Sequence, residues 1–412
     1  MSGSLTVRQA RLVLPDRVVT GDLVVEDGVI TEIASRVDRS VGVEIDGRDR
    51  VLLPGGIDLV TRIETIEDLS GISAAALAGG VTAVCAVGPA SSEEELRTEL
   101  ARAAELSRVH YGLYVRAVSG GPPPSERARG IWVGGDLLHH ESVHELFSAA
   151  DRLLVVDNED PERLSSRAHL YRDSTDPADH SRIHDVDSAL AATRRAVELG
   201  QRHGRPMLIA SVSAAEELDA LRSRPSCVMA AVRPVHLFLD DGDYRRLGTR
   251  AVASPPVRAA RHREALLQGV REGLIEVVAS HHEPVRCEWK DRAYPSTATG
   301  MPSVQWTLPL LAQAVAEGRC DWHTVAQVTA AAPARLLKLA RKGRLEMGCD
   351  GDLVLLDPRS ERTIGSTVPC FAPGWSPWDG RSLCGWPVLT CVLGKIGFRD
   401  GELDLAVRGR SL

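Results

Sequence analysis

Lysine is nearly missing from this 412-residue sequence: of 49 basic residues only Lys290, Lys338, Lys342 and Lys395 are lysine, and none precedes residue 290. Biased codon usage explains the imbalance, yet it narrows the chemistry open to the first two thirds of the chain. An apolar run long enough to cross a bilayer is missing too, which argues against a membrane protein. The opening MSGSLTVRQARLV has no basic segment leading into an apolar core, so a secretory signal is not expected and a cytoplasmic location is. Eight cysteines include no CxxC pair, which fits reduced thiols, and a disulfide framework is not expected. Positive charge is not in excess: the net charge of −7 argues against a nucleic-acid surface and leaves small molecules or proteins as partners.

What is present reads as a globular chain with room for one large barrel or several smaller domains. Residues 1–50 alternate apolar and polar positions in short runs, LTVRQARLVL and DLVVEDGVITEIA, and the Asp-Gly pair between β-rich runs marks a hairpin turn. From Val51 buried strands alternate with amphipathic helices: VLLPGGIDL then ISAAALAGG, VTAVCAV then SEEELRTELARAAELS, onward to LIEVVAS and DWHTVAQVTAAAPARLLKLA. About eight such units suit a (β/α)8 barrel over 51–347 better than a doubly wound sheet, since no glycine-rich dinucleotide fingerprint follows the first strand. After Gly348, GDLVLLDP and VLTCVLGKIGFRDGEL return to strands. The segments 1–50 and 348–412 are therefore expected to pair into one composite β-sandwich beside the barrel. GGPPPSERARG, RDSTDPADHSRIHD and PCFAPGWSPWDG are long for plain connections, and in a barrel such loops shape the ligand face or an oligomer contact.

Ten ordered motifs resemble the dihydroorotase branch of the cyclic amidohydrolases, with dihydropyrimidinase and allantoinase as nearby relatives. They are LPGGID, AALAGGVTAV, DNEDPE, ASVS, RPVHL, SPPVR, IEVVASHHEP, GMPSVQWTLPLL, the long run from APARLL to VLLDP, and SPWDGRSLCGWPVLTCVLGKI. The resemblance implies a TIM barrel of the amidohydrolase type, and enzymes of that kind hold one or two divalent metals at the C-terminal mouth of the barrel. The metal lowers the pKa of bound water and polarises the amide carbonyl. Its first ligands come from a His-x-His at the end of strand one, where PGGIDLVTRIE has Val60 and Arg62 instead. A bridging carboxylated lysine is excluded before Lys290, and GIWVGGDLL offers only Asp136 as a displaced aspartate. Further ligand positions carry Asp157 and Ser211, the family's Thr-Pro-His-His becomes Arg233, Pro234, Val235 and His236, and the catalytic aspartate is replaced by His281. Among substrate-facing positions, an arginine becomes Glu64 and an asparagine falls near Pro89, while Arg258 remains. No metal and no cofactor are expected.

Three readings follow. The first is a metal-less, non-catalytic homologue with a structural role; the resemblance supplies a precedent, since some bacteria carry such a chain assembled with aspartate carbamoyltransferase in pyrimidine biosynthesis. A homo-oligomer is expected. The second is a metal-independent enzyme acting on a small cyclic amide, ureide or related anion, with His281 as proton shuttle and Arg62 and Arg233 stabilising negative charge. Glu64, Asp157, Ser211, His236, Arg258 and His282 would line the same mouth. The third, a zinc-dependent cyclic amidohydrolase, requires a different register of the motifs. In the plainer view Arg62, Glu64, Asp157 and Arg233 form ion pairs that fill the vacated cavity. HESVH, His140 to His144, matches H-E-x-x-H but is expected on a solvated crossover helix. Cys384 and Cys391 are expected to be small core residues, and GGPPP, residues 120–124, a stiff loop.

Overall fold

The computed structural model describes residues 3–90, 92–118, 127–157, 159–365 and 374–412. Its N-terminal strands are β1 (Leu5–Val13), β2 (Val18–Glu26), β3 (Val29–Ala34), β4 (Val43–Asp46) and β5 (Val51–Pro54). The next eight are β6 (Gly56–Arg62), β7 (Val81–Val87), β8 (His110–Arg116), β9 (Gly130–Val133), β10 (Leu153–Val156), β11 (Met207–Val212), β12 (Val228–Val232) and β13 (Val277–Val278). The C-terminal set is β14 (Leu353–Thr363), β15 (Ser382–Val392), β16 (Lys395–Arg399) and β17 (Glu402–Leu403).

Strands β6 to β13 pair in parallel and in chain order. The sheet curls until the residues after β13 meet β6: Thr61 bridges His282, and the Arg62 N–H donates to the His282 carbonyl at 2.8 Å. Below that seam the Ser280 N–H donates to an Asp58 carboxylate oxygen at 2.9 Å, and the Ser280 hydroxyl donates to the other. Burial pushes the Asp58 carboxyl up to about 6 against those bonds. The interior is packed with Leu59, Val60, Val155, Leu208, Ala210 and Ala231, as expected of a barrel whose strands bury both faces. This is the (β/α)8 barrel the strand-helix alternation called for.

The second sheet runs β17, β16, β15, β14, β5, β1, β2, β3, with β4 also on β1. Both chain ends contribute, because β14 pairs antiparallel with β5, which in turn lies parallel to β1. The composite sandwich is therefore present, and its own core holds Leu5, Val7, Leu23, Ile30, Leu353 and Leu355. Val51–Pro54 sits in this sheet, so the chain changes sheets between Pro54 and Gly56, inside the LPGGID motif. At the β2–β3 hairpin Asp27 and Gly28 have φ of 48° and 84°, the two left-handed residues that a tight primed turn demands.

The H-E-x-x-H match does not form one helical face. The helix there begins at Val143, His140 lies exposed before it with its ring on Ser142, and His144 turns inward to His203, 3.0 Å between ring nitrogens. Cys384 and Cys391 lie on the same strand, β15, with Cys391 in the sandwich core. GGPPP falls outside the described residues. No helix among the described residues is long and apolar enough to cross a membrane.

Candidate functional site at the barrel mouth

The C-terminal ends of β6, β8, β9, β10 and β12 and the turn after β13 converge on one rim, the face where barrels of this kind place their chemistry. Val60 is wholly buried in the interior cluster. Arg62, two residues on, reaches across to Asp157 at 3.8 Å, each side chain about a third exposed at 32% and 30%. Its guanidinium also lies over the Trp132 ring, 5.1 Å from the centroid. Of the four side chains expected to form buried ion pairs, only Arg62 and Asp157 stand at ion-pair distance among the described residues, and both are partly exposed.

Arg233 behaves differently. It is 2% exposed, its Nη1 donates to the Ser254 carbonyl at 2.7 Å, and its Nε has no hydrogen-bond partner among the described residues. No carboxylate lies within ion-pair distance of it among the described residues. Burial pushes its guanidinium down to about 10, with Glu283 opposing and Arg62 adding to the effect. Arg258 is buried too but well served: it donates to the Ser213 hydroxyl at 3.1 Å and the His184 carbonyl at 2.8 Å, and reaches the Asp185 carbonyl at 3.4 Å. Asp185 caps the helix Val186–His203 by accepting from the Ser188 N–H, which fixes the carbonyl that Arg258 uses.

The histidines of the rim are tied to backbone. His281 Nε2 donates to the Ala210 carbonyl at 2.8 Å, and burial, reinforced by Arg233 and Arg62, holds the ring well below its ordinary pKa. Its φ of 47° is an unusual backbone for histidine and turns the chain at the barrel seam. His236 donates from Nε2 to the Pro255 carbonyl at 3.1 Å, and burial likewise keeps it neutral. His282 accepts at Nδ1 from the Ser303 and Val304 N–H groups, and burial lowers it to about 3. Ser211 is buried on β11, while Glu64 and Pro89 are exposed on the outer loops and Asp136 is exposed on the short helix Gly135–His139.

Several rim groups escape sequence reasoning. Arg116 ends β8 exposed, its Nε on the Gly88 carbonyl at 3.2 Å, and burial and Arg62 lower its proton affinity. Glu159 and His184 form a pair at 2.7 Å just behind the rim. Lys290, the first lysine in the chain, is fully buried, donates to the Val252 and Ala298 carbonyls, lies over Trp375, and is lowered by burial to about 7. Each pairing joins segments far apart in sequence, so local patterns carry no trace of it. Among the described residues no group of three or more His, Cys, Asp or Glu side chains is placed to hold a metal ion.

Comparison with known proteins adds the lineage. A dihydroorotase of Halobacterium salinarum is 30% identical over 96% of this chain and 99% of its own length. The chain belongs to the dihydroorotase and hydantoinase family of cyclic amidohydrolases. A D-hydantoinase of Ralstonia pickettii is 24% identical over 97% of the chain and 96% of its own. Among solved structures, the L-hydantoinase of Arthrobacter aurescens superposes with a TM-score of 0.89 over 98% of both chains at 23% identity, and a dihydropyrimidinase of Brevibacillus agri with 0.89 at 20%. These likenesses span the barrel and the composite sheet together and confirm the fold. No family model matches the sequence.

Proposed function

We propose that this cyclic amidohydrolase homologue lacks the family's metal centre, does not hydrolyse amides, and serves as a structural partner in a larger assembly. The observation that carries this is the pair of side chains at the end of β6. Val60 presents only hydrocarbon, and Arg62 brings a permanent positive charge that already leans on Asp157. A divalent cation needs lone pairs there, and a guanidinium a few ångströms away repels it. The residues present therefore do not fit the metal the family resemblance implies. Without a bound cation, water keeps a pKa near 15.7 instead of about 7 and attacks an amide only very slowly.

The second reading, a metal-independent enzyme with His281 as proton shuttle, draws less support. The ring donates one nitrogen to a carbonyl and is held neutral by burial beside two arginines, so it is a poor base and cannot act as an imidazolium acid near neutrality. On the favoured reading the surface carries the role, with self-association and a complex with aspartate carbamoyltransferase as the assemblies to seek. Elemental analysis and a turnover assay on a panel of cyclic amides, dihydroorotate included, test it together. The expected result is less than stoichiometric zinc and no turnover; one or two firmly held zinc ions per chain with hydrolysis of any of the panel defeats the proposal. Co-purification with the carbamoyltransferase in one large species tests the partner separately.

A further inference from the structure

On the flank of the barrel two half-buried imidazoles face each other, His144 from the helix Val143–Ala149 and His203 from the last position of the helix Val186–His203. His144 Nδ1 lies 3.0 Å from His203 Nε2, with the ring planes 36° apart and the centroids 5.3 Å apart. What stands on the far side of each ring fixes the protons. A guanidinium can only donate, so Arg195 Nη2, 3.2 Å from His144 Nε2, makes that nitrogen an acceptor. The His144 proton is then on Nδ1 and donates to His203 Nε2. The His203 proton is in turn on Nδ1 and faces the Ser148 hydroxyl at 3.5 Å, the longest contact of the set, while that hydroxyl donates to the His144 carbonyl at 2.7 Å. Four donors run one way round, and the circuit closes only with both rings neutral.

One more proton has no place in it. On His203 Nε2 it meets the His144 N–H head on, and moving the His144 proton to Nε2 to make room turns that proton against Arg195. A hydrogen bond is lost either way, and a cation is added to a positive neighbourhood. The charged groups around the pair are Arg195, Glu198 and Arg202 on the helix of His203, Arg205 just after it, Glu145 on the helix of His144, and His139 and Glu141 before that helix. Glu198 is taken by Arg195 at 3.1 Å, Glu141 and Glu145 are exposed, and no carboxylate stands at ion-pair distance from either ring among the described residues. The carbonyl end of its own helix favours a charged His203. Burial, His144, Arg202, Arg205 and Arg195 together outweigh that and lower its proton affinity. Arg205 donates to the Phe147 and Ser148 carbonyls at 3.1 and 2.6 Å, so the same helix is held by one contact that titrates and one that does not.

We propose that the His144–His203 pair is an acid-sensitive latch: with both rings neutral it docks the helix Val143–Ala149 on the helix Val186–His203, and uptake of one proton releases it. The released piece belongs to the crossover between β9 and β10, so acid reshapes one outer face of the barrel while the seam and the sandwich keep their form. The latch stands whether or not the mouth holds a metal. A released histidine titrates near 6.5 and the latched one lower, so docking is complete above pH 6.5 and weakens as pH falls below it.

The test is amide hydrogen exchange of the full chain from pH 7.5 to 5.0, corrected for the intrinsic pH dependence of exchange. Protection across 143–150 is expected to fall about fivefold or more in wild type, the loss of one hydrogen bond, while β11 keeps its protection. Two variants fix the cause. The double variant His144→Gln with His203→Gln cannot titrate and is expected to show no pH dependence there. In Arg195→Met the second proton can sit on His144 Nε2 without opposing a donor, so the bond between the rings survives and the helix is expected to stay docked in acid. Unchanged wild-type protection across 143–150, an equal fall in 143–150 and β11, or a fall as large in either variant as in wild type overturns the proposal. Should one variant fail to fold, the other decides alone.

Discussion

Strand β8 joins two clusters of charged side chains, and they are built on opposite terms. At its first residue, His110 meets Asp352 of the sandwich at 3.2 Å. Asp352 also takes the Lys342 ammonium at 2.6 Å and the Leu393 N–H at 2.8 Å, and the Arg410 N–H donates to the other ring nitrogen of His110 at 3.2 Å. Every polar atom of that carboxylate has a partner from its own chain. At the last residue of β8, Arg116 faces the rim where Arg233 lies buried with a single hydrogen bond among the described residues. The junction between the two sheets is fully paired, while the mouth leaves Arg233 Nε without a hydrogen-bond partner among the described residues.

The largest effect comes from breaking the paired cluster. Asp352→Ala leaves the His110 ring and the Leu393 N–H without their acceptor in a dry junction and Lys342 with Asp350 alone, and urea unfolding is expected to show a loss of about 3–5 kcal/mol. Burial alone raises a carboxyl, yet His110 and Lys342 hold Asp352 down to about 2. Its stabilising contribution is thus complete above the ordinary carboxylate range and vanishes only as pH falls through about 2. A loss below 1 kcal/mol on Asp352→Ala would remove the basis of the contrast.

Next in size is a group that sits at the mouth but is satisfied by its own chain. His282 binds a proton at about 3 when folded and near 6.5 when unfolded, so between those values only the unfolded chain takes the proton. Stability is therefore full above pH 6.5 and falls as acid is added toward 3, by about 1.4 kcal/mol per pH unit in mid-range. Other buried histidines share the trend, so the informative quantity is a difference in slope. Asparagine preserves an acceptor for the Ser303 and Val304 N–H groups and does not titrate; His282→Asn should flatten the pH dependence of unfolding by about one proton, and an unchanged slope refutes the assignment.

A smaller effect of opposite sign sharpens the comparison. Arg233→Met removes a buried guanidinium that no carboxylate approaches to ion-pair distance among the described residues, at the cost of leaving the Ser254 carbonyl without its donor, and a net gain of about 1 kcal/mol is expected. A loss as large as that of Asp352→Ala would show the two clusters to be alike.

How much of this was legible in the sequence follows from the same physics. The barrel, the composite sheet and the hairpin at Asp27 and Gly28 come from period and turn chemistry, which are local. The motif PGGIDLVTRIE places Val60 and Arg62 at the end of the first barrel strand, and Asp157 follows from DNEDPE, so their ion pair was within reach. Arg116 belongs to no motif, and HYGLYVRAV gives no reason to prefer its arginine over any other. Glu159 with His184 and Lys290 with Val252 pair across 25 and 38 residues through loops whose course only the folded chain fixes. Val51–Pro54 reads as a barrel strand because a strand buried on both faces has the same apolar pattern in either sheet.

The H-E-x-x-H match tests the other side of that lesson, where local pattern promises chemistry and the fold withholds it. Two imidazoles share a zinc ion when they project from one helical face at i and i+4, but His140 stands before the helix with its Nδ1 on the Ser142 hydroxyl at 2.8 Å. His144 points away to His203, and the Arg195 guanidinium approaches its Nε2 at 3.2 Å, which sets that nitrogen as an acceptor and adds a positive charge where a cation would have to sit. His140→Ala, at an exposed position, should change unfolding free energy by less than about 0.5 kcal/mol and leave bound zinc unaltered. A variant that loses zinc would place a metal on the flank of the barrel and move the search for chemistry away from the mouth.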